Sequence, residues 1–149
     1  MKKVLLLLTL MGGMMFVLAQ NDKAAPSVLP KTPSPKGAKS YIISPSNGET
    51  VPSTFAVKFG LQGMGIAPAG IKFENTGHHH LLVDVEKLPD LNIPLPATEN
   101  IIHFGKGQTE TKLTLKPGKH TLRLILADYL HIAHDPPVIS KEITVTVAD

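Results

Sequence analysis

Apolar and polar residues alternate along most of this chain after residue 40, and the alternation predicts β-strands. A period of two places successive side chains on opposite faces of a strand, so that one face can be buried and the other exposed. The clearest segments with this period are 55–61, 81–85, 113–115, 122–126 and 143–147. No segment has the 3.6-residue apolar spacing of an amphipathic helix. We therefore predict an all-β domain.

The turns between these segments refine the fold class. Pro, Gly, Asn and Ser separate the apolar stretches, as in Ser44–Gly48 and Pro117–Gly118. About seven short strands within roughly 110 residues are typical of an immunoglobulin-like antiparallel β-sandwich, with a single barrel as the alternative. We expect this domain to occupy residues 40–149.

The first residues follow a different pattern, which predicts a secretory signal peptide. Lys2 and Lys3 precede an almost unbroken apolar run over 4–18, and Ala19 then provides a small residue suited to a signal peptidase. The run is short for a hydrocarbon core of about 30 Å, which disfavours the alternative of an uncleaved transmembrane anchor. We predict removal of residues 1–19 and export of the mature chain to the periplasm or the medium.

Residues 20–39 contain four prolines and few apolar residues, which predicts a disordered, Pro-rich linker.

The formal charge of +3 has its origin in the first 39 residues, because they hold six of the 15 basic residues and one of the 12 acidic ones. The domain itself is close to neutral and has one Arg and no Trp. We therefore do not expect it to bind nucleic acid.

The chain has no Cys, which excludes disulfides, thiolate metal sites and cysteine nucleophiles. Met64 is the only Met after the predicted leader, so a methionine-rich copper(I) site is excluded as well.

The string around Gly105 and Gly107 lacks the residue order of a P-loop, and we expect these glycines to serve a bend or a close backbone approach. Since no catalytic motif is present, an enzymatic role is the less favoured interpretation.

Histidine has the most informative distribution of any residue type. All seven His lie in the second half of the chain, most of them in the strings His78–His80 and His131–His134. Neutral imidazole is the commonest protein ligand for transition metals. Alternate residues of a strand share a face about 6.6 Å apart, so His78 and His80 would point one way and His79 the other way.

A predicted hairpin at Pro117–Gly118 sorts the histidines by position. In this hairpin Leu115 would face His120 beside the turn. Asp128 would lie roughly 26 Å further along the strand, with the second histidine string beyond it and His103 at the same end. The hairpin thus separates His120 from the other candidates.

We predict that the histidines at that end of the sandwich bind one divalent ion, zinc or copper(II). The candidate ligands are His78, His80, His103, His131 and His134. Asp84 and Asp128 are candidates for carboxylates that orient the imidazoles. Two alternatives stay open: an immunoglobulin-like interaction or ligand-binding module with structural histidines, and a metalloenzyme of the superoxide-dismutase type. A metal ion is the expected partner, and another periplasmic protein is a further candidate.

Three strings combine histidines with glycines, prolines and acidic residues at defined spacings. They are Gly77–Asp84, His103–Glu110 and the spaced pattern Asp128, His131, His134, Pro136, Pro137, Val138 and Ser140. Together they resemble the signature of domain-of-unknown-function family 4399, whose members are exported bacterial proteins. The resemblance covers nearly all of residues 41–147. It implies a periplasmic β-domain and brings no established activity, substrate or catalytic residue.

Overall fold

The computed structural model describes residues 29–149, which form two β-sheets packed face to face. The strands of this part are β1 (Lys39–Ser44), β2 (Thr50–Val51), β3 (Thr54–Gln62), β4 (Gly65–Ile66), β5 (Thr76–Val83), β6 (Ile101–His103), β7 (Glu110–Thr114), β8 (Gly118–Ala127) and β9 (Ile143–Val147). Residues 29–149 contain no helix, and therefore none with the length and apolarity to cross a membrane. The predicted all-β sandwich is confirmed, whereas the immunoglobulin-like assignment stays a prediction.

The strands divide unequally between the two sheets. The smaller sheet has three antiparallel strands in the order β1-β3-β7. The larger sheet has the order β2-β9-β8-β5-β4, and β6 also pairs with β5. In the larger sheet β8 is antiparallel to both β5 and β9, while β2 and β4 pair in parallel with β9 and β5. The long strands β5 and β8 therefore form its centre.

The main core lies between the sheets and consists of the alternate residues that the sequence pattern predicts to be buried. The smaller sheet contributes Phe55, Val57 and Phe59 of β3. The larger sheet contributes Leu81 of β5 and Leu122 of β8, neither of which is exposed to solvent. Full burial of one such side chain contributes about 1.5–3 kcal/mol, so this layer holds the two sheets together.

The predicted hairpin at Pro117–Gly118 is wrong. β7 pairs with β3 in the smaller sheet, whereas β8 pairs with β5 and β9 in the larger one. His120 accordingly lies opposite Val145 and not opposite Leu115. The alternation determines which face of a strand is buried but not which strand lies beside it, so the sequence fits both pairings. His120 is nevertheless distant from the end of β8, because this strand runs without interruption for 10 residues.

A second apolar layer covers the outward face of the larger sheet. Leu82 of β5 and Ile125 and Ala127 of β8 point away from the main core and pack with Leu95 and Ala133. Leu95 belongs to the connection between β5 and β6, and Ala133 to the connection between β8 and β9. These two connections create a buried environment on what would otherwise be a solvent-exposed face.

Part of the predicted linker contacts the domain. The Oγ1 of Thr32 donates a hydrogen bond to Oδ2 of Asp128 (2.6 Å), and the backbone N–H of Ser34 donates to the carbonyl oxygen of Asp135 (3.0 Å). These contacts hold this short segment against the connection between β8 and β9. Residues 1–28, with the predicted signal peptide and the start of the predicted linker, lie outside the described residues, so both remain predictions.

Candidate metal centre

β5 presents two histidines on the outward face of the larger sheet. His78 and His80 alternate with His79, and they share a face with Leu82 of the outward apolar layer. β5 also pairs with β6, which places His103 directly opposite His80. Cross-strand neighbours have Cβ atoms about 4.5–5.5 Å apart, so strand pairing alone brings these rings together.

A fourth histidine reaches this face from the turn that follows β8. His131 has a φ of 67°, in the left-handed region that residues with a Cβ rarely adopt. Its N–H donates to the carbonyl oxygen of Asp128 (2.9 Å), and its carbonyl oxygen accepts from the N–H of Leu95 (2.8 Å). Both connections that cover the sheet thus hold the His131 backbone, which directs its ring toward the other three.

His78, His80, His103 and His131 form what we call the four-histidine cluster. Five of the six pairs of ring centroids are 4.8–5.0 Å apart, and the sixth pair, His80 and His131, is 6.1 Å apart. His78 and His80 are fully buried, while His103 and His131 are half-buried. The last two therefore form the side of the cluster that faces solvent.

Most ring nitrogens of the cluster lack hydrogen-bond partners. Within the described part of the chain, no partner exists for either ring nitrogen of His78, for either one of His80, or for Nε2 of His103. One ring nitrogen from each of these three residues lies within 4.8 Å of one from each of the others. Buried polar groups are almost always hydrogen-bonded in folded proteins, and leaving one unpaired destabilises the fold by about 1–3 kcal/mol. A metal ion would satisfy these converging nitrogens.

Burial keeps these imidazoles neutral. Desolvation, followed by the nearby charges of His131 and His103, lowers the pKa of His78 from 6.5 to about 4. Burial and then the neighbouring histidines lower the pKa of His80 to about 3. Burial also lowers the pKa of His103. Metal ions bind the neutral form of imidazole, so these three rings are in their ligand form at neutral pH.

Gly105 makes room for the ring of His103. A Cβ at residue 105 would overlap with Cε1 and Nε2 of that ring. The missing side chain therefore allows the imidazole to lie against the backbone that follows β6. The close approach predicted for Gly105 is found here.

The structure does not bring His134 into the cluster. The Nε2 of His134 lies 3.2 Å from the carbonyl oxygen of Thr76, and its Nδ1 lies 3.4 Å from that of Leu126. Gly77 precedes His78 in β5, so its side-chain position is on the face of the sheet opposite the cluster. A Cβ added at Gly77 would lie 2.9 Å from Cε1 of His134, which places the His134 ring on that opposite face. His134 is a buried hydrogen-bonding group that bridges β5 and β8.

His79 belongs to the main core and not to the cluster. Its ring packs edge-on against Phe59, with 5.2 Å between the ring centroids. It is fully buried, and neither ring nitrogen has a hydrogen-bond partner among the described residues. Burial lowers the pKa of His79 to about 4, which keeps the ring neutral within the apolar layer.

Neither of the two predicted carboxylates is hydrogen-bonded to a ring of the cluster within residues 29–149. The Oδ2 of Asp84 lies 2.7 Å from Nδ1 of His120, and this hydrogen bond raises the pKa of His120. The Oδ1 of Asp128 accepts from the N–H groups of Leu130 (2.9 Å) and Ile132 (3.0 Å). Asp84 thus supports His120 toward the other end of β8, and Asp128 shapes the turn that carries the fourth ring of the cluster.

The comparison with protein families assigns this set of residues to a family. A family model described as Domain of unknown function (DUF4399) matches residues 57–148, which include all four residues of the cluster. The chain belongs to this family. Comparisons with curated proteins and with solved structures found no match. Membership confirms the resemblance seen in the sequence but assigns no activity to the site.

The place of the site in this DUF4399 domain is more specific than the expectation. The sequence predicts a site at one end of the sandwich, and the cluster lies on the outward face of the larger sheet, beneath the connection between β5 and β6, with His78 opposite Ala127 at the end of β8. Leu95 helps to hold His131 through a hydrogen bond from its backbone N–H. The sequence could not reveal this role, because every residue except Pro provides a backbone N–H.

Proposed function

We propose that this protein is an exported periplasmic domain that binds one divalent transition-metal ion, zinc or copper(II), through His78, His80 and His103. The observation that carries the proposal is the convergence of buried ring nitrogens that have no other partner. Imidazole nitrogen is a preferred ligand of both metals. The expected role is the buffering, delivery or structural use of the ion.

The alternative, a module with purely structural histidines, fits other histidines of the same domain. His120 is hydrogen-bonded to Asp84 and to the carbonyl oxygen of Lys116, and His134 lies against two carbonyl oxygens. His120 and His134 therefore fit a structural role, and His79 is a buried core residue whose unpaired ring nitrogens lie apart from the cluster. The three proposed ligands differ because their unpaired nitrogens converge within 4.8 Å of one another, which favours metal binding over the structural role.

Export is proposed from the sequence of the first 19 residues, which has the basic head, apolar run and small terminal residue of a cleavable leader. The intact mass of the native protein tests this step. A chain that begins at or near Gln20 in the periplasmic fraction is expected, and a membrane-bound chain that retains the leader would contradict it.

Calorimetric titration of the untagged protein with zinc and with copper(II) tests metal binding. We expect one ion per protein with submicromolar affinity, and at least a hundredfold loss in His80→Ala, about 2.7 kcal/mol. His120→Ala is the matched control, because it removes a histidine of the same sheet outside the cluster. Binding of neither metal below about millimolar concentration, or loss of binding in His120→Ala alone, would show that the histidines have another role.

A further inference from the structure

We infer that His131 closes the site into a tetrahedral cage of four imidazoles, which suits zinc(II) and disfavours copper(II). This inference rests on the proposed metal site and specifies its fourth ligand and its metal. It follows from the mutual distances of the rings, from the backbone that holds His131, and from the lack of a competing ligand nearby among residues 29–149.

The ring positions fit a tetrahedron around one ion. With metal–nitrogen distances of about 2.0–2.1 Å, four ring centres would lie about 3.2 Å from the ion and about 5.2 Å from one another in a tetrahedral arrangement. In the cluster, five centroid pairs are separated by 4.8–5.0 Å and one by 6.1 Å. The average of the centroid distances therefore matches the tetrahedral value. Ring nitrogens of His78, His80 and His103 already lie within 4.8 Å of one another, and on metal binding the His131 ring would turn one of its nitrogens toward the same point.

A square-planar arrangement, which copper(II) prefers, fits less well. It would need four neighbouring pairs at about 4.5 Å and two opposite pairs at about 6.4 Å. Only the pair of His80 and His131 is long, at 6.1 Å, and the complementary pair of His78 and His103 is 5.0 Å apart. Flattening the cluster would require these last two rings, which project from paired strands of one sheet, to separate.

The backbone at His131 holds the ring in place. Its left-handed conformation destabilises a residue other than Gly by about 1–3 kcal/mol, and such conformations concentrate at functional sites. Hydrogen bonds to Asp128 and Leu95 hold the conformation from both sides. The turn therefore supplies the fourth ring of the cluster from outside the sheet.

The carboxylate of Asp128 in the same turn is already engaged. The Oδ1 of Asp128 accepts two backbone hydrogen bonds of the turn, and its Oδ2 accepts one from Thr32. The chain contains no Cys. With four imidazoles and no exchangeable position, the ion is held as a stored or structural ion rather than as a catalytic one.

The test compares the wild-type protein with His131→Gly. Glycine adopts a positive φ without strain, so the turn keeps its backbone while the imidazole is lost. Cobalt(II) serves as the probe of geometry, because tetrahedral cobalt(II) absorbs visible light much more strongly than five- or six-coordinate cobalt(II). Zinc and copper(II) affinities are measured on the same two proteins, and melting in EDTA checks that both are folded.

We expect an intense tetrahedral cobalt spectrum for the wild type and a weak one for His131→Gly. We also expect zinc binding to weaken at least tenfold in the variant, with a smaller loss for copper(II), which can then adopt its own geometry. An unchanged zinc affinity, or a wild-type cobalt spectrum of the five- or six-coordinate kind, overturns the cage while leaving the three-histidine site standing. Absence of metal binding by the wild type instead removes the proposed function itself.

Discussion

Gly105 is the residue at which the site can be weakened without changing a ligand. A Cβ at this position would lie closer than 3.0 Å to the ring of His103. Because that ring can rotate away, we expect Gly105→Ala to leave the fold intact and to turn the imidazole out of the cluster. The predicted result is at least tenfold weaker zinc binding, about 1.4 kcal/mol, measured by calorimetry.

Gly65→Ala is the control for this substitution. A Cβ at Gly65 would meet only Cγ2 of Thr76, at an ordinary contact distance of 3.4 Å. This variant should bind zinc as the wild type does. If Gly105→Ala binds zinc equally well, the ring of His103 does not depend on the space that the glycine provides.

At the scale of the elements, the turn after β8 connects the cluster to the segment that precedes the domain. Asp128 shapes the turn through Oδ1 and accepts the Thr32 hydrogen bond through Oδ2. An ion held by His131 should make the turn more rigid, and the segment around Thr32 with it. We therefore predict that zinc slows tryptic cleavage after Lys31 and Lys36 severalfold, as ligands do when they stabilise the closed state.

Thr32→Val tests this coupling from the side of the segment. The variant keeps the shape of the side chain but loses the hydrogen bond to Asp128. Its tryptic cleavage should be fast with or without zinc, and its zinc affinity should fall by the same severalfold factor, because the coupling between two sites is reciprocal. Wild-type cleavage rates that are the same in zinc and in EDTA would show that the turn does not transmit metal binding.

At the scale of the whole molecule, buried histidines should make the metal-free protein sensitive to acid. Burial lowers the pKa values of His78 and His79 to about 4 and that of His80 to about 3, against 6.5 when exposed. Below pH 6.5 the unfolded chain therefore binds protons that the folded chain does not. Stability in EDTA should be complete above about pH 6.5 and fall toward pH 4, by up to about 4 kcal/mol per pH unit for three such groups.

Urea unfolding at several pH values measures this dependence of stability on pH. Two variants show which histidines cause it. His79→Leu removes one buried ring from the main core, so the slope should decrease by about a third. His120→Ala should leave the fall of stability between pH 6.5 and 4 unchanged, because the hydrogen bond to Asp84 raises the pKa of His120. The contribution of His120 is complete below about pH 6.5 and is lost as the pH rises through its raised pKa. A wild-type stability that is flat between pH 7 and 4 would contradict the buried, neutral state of the rings.

The sequence by itself determined the local properties of this protein. The period of two identified the long strands and their buried faces, because side-chain direction along a strand depends only on position. For the same reason His78 and His80 were correctly expected on one face and His79 on the other. Zero Cys and clustered His limited the candidate chemistry to imidazole ligands.

Only the tertiary structure decided which of these residues meet. Strand pairing placed His103 opposite His80, and the crossing of the chain between the sheets after β7 replaced the predicted hairpin. The tertiary structure also separates His134 from His131, although the two are only three residues apart. The chain between them returns to pair with the end of β8, and His134 then lies against the backbone of that strand. These outcomes depend on contacts between distant segments, and many pairings satisfy the same alternation of apolar and polar residues.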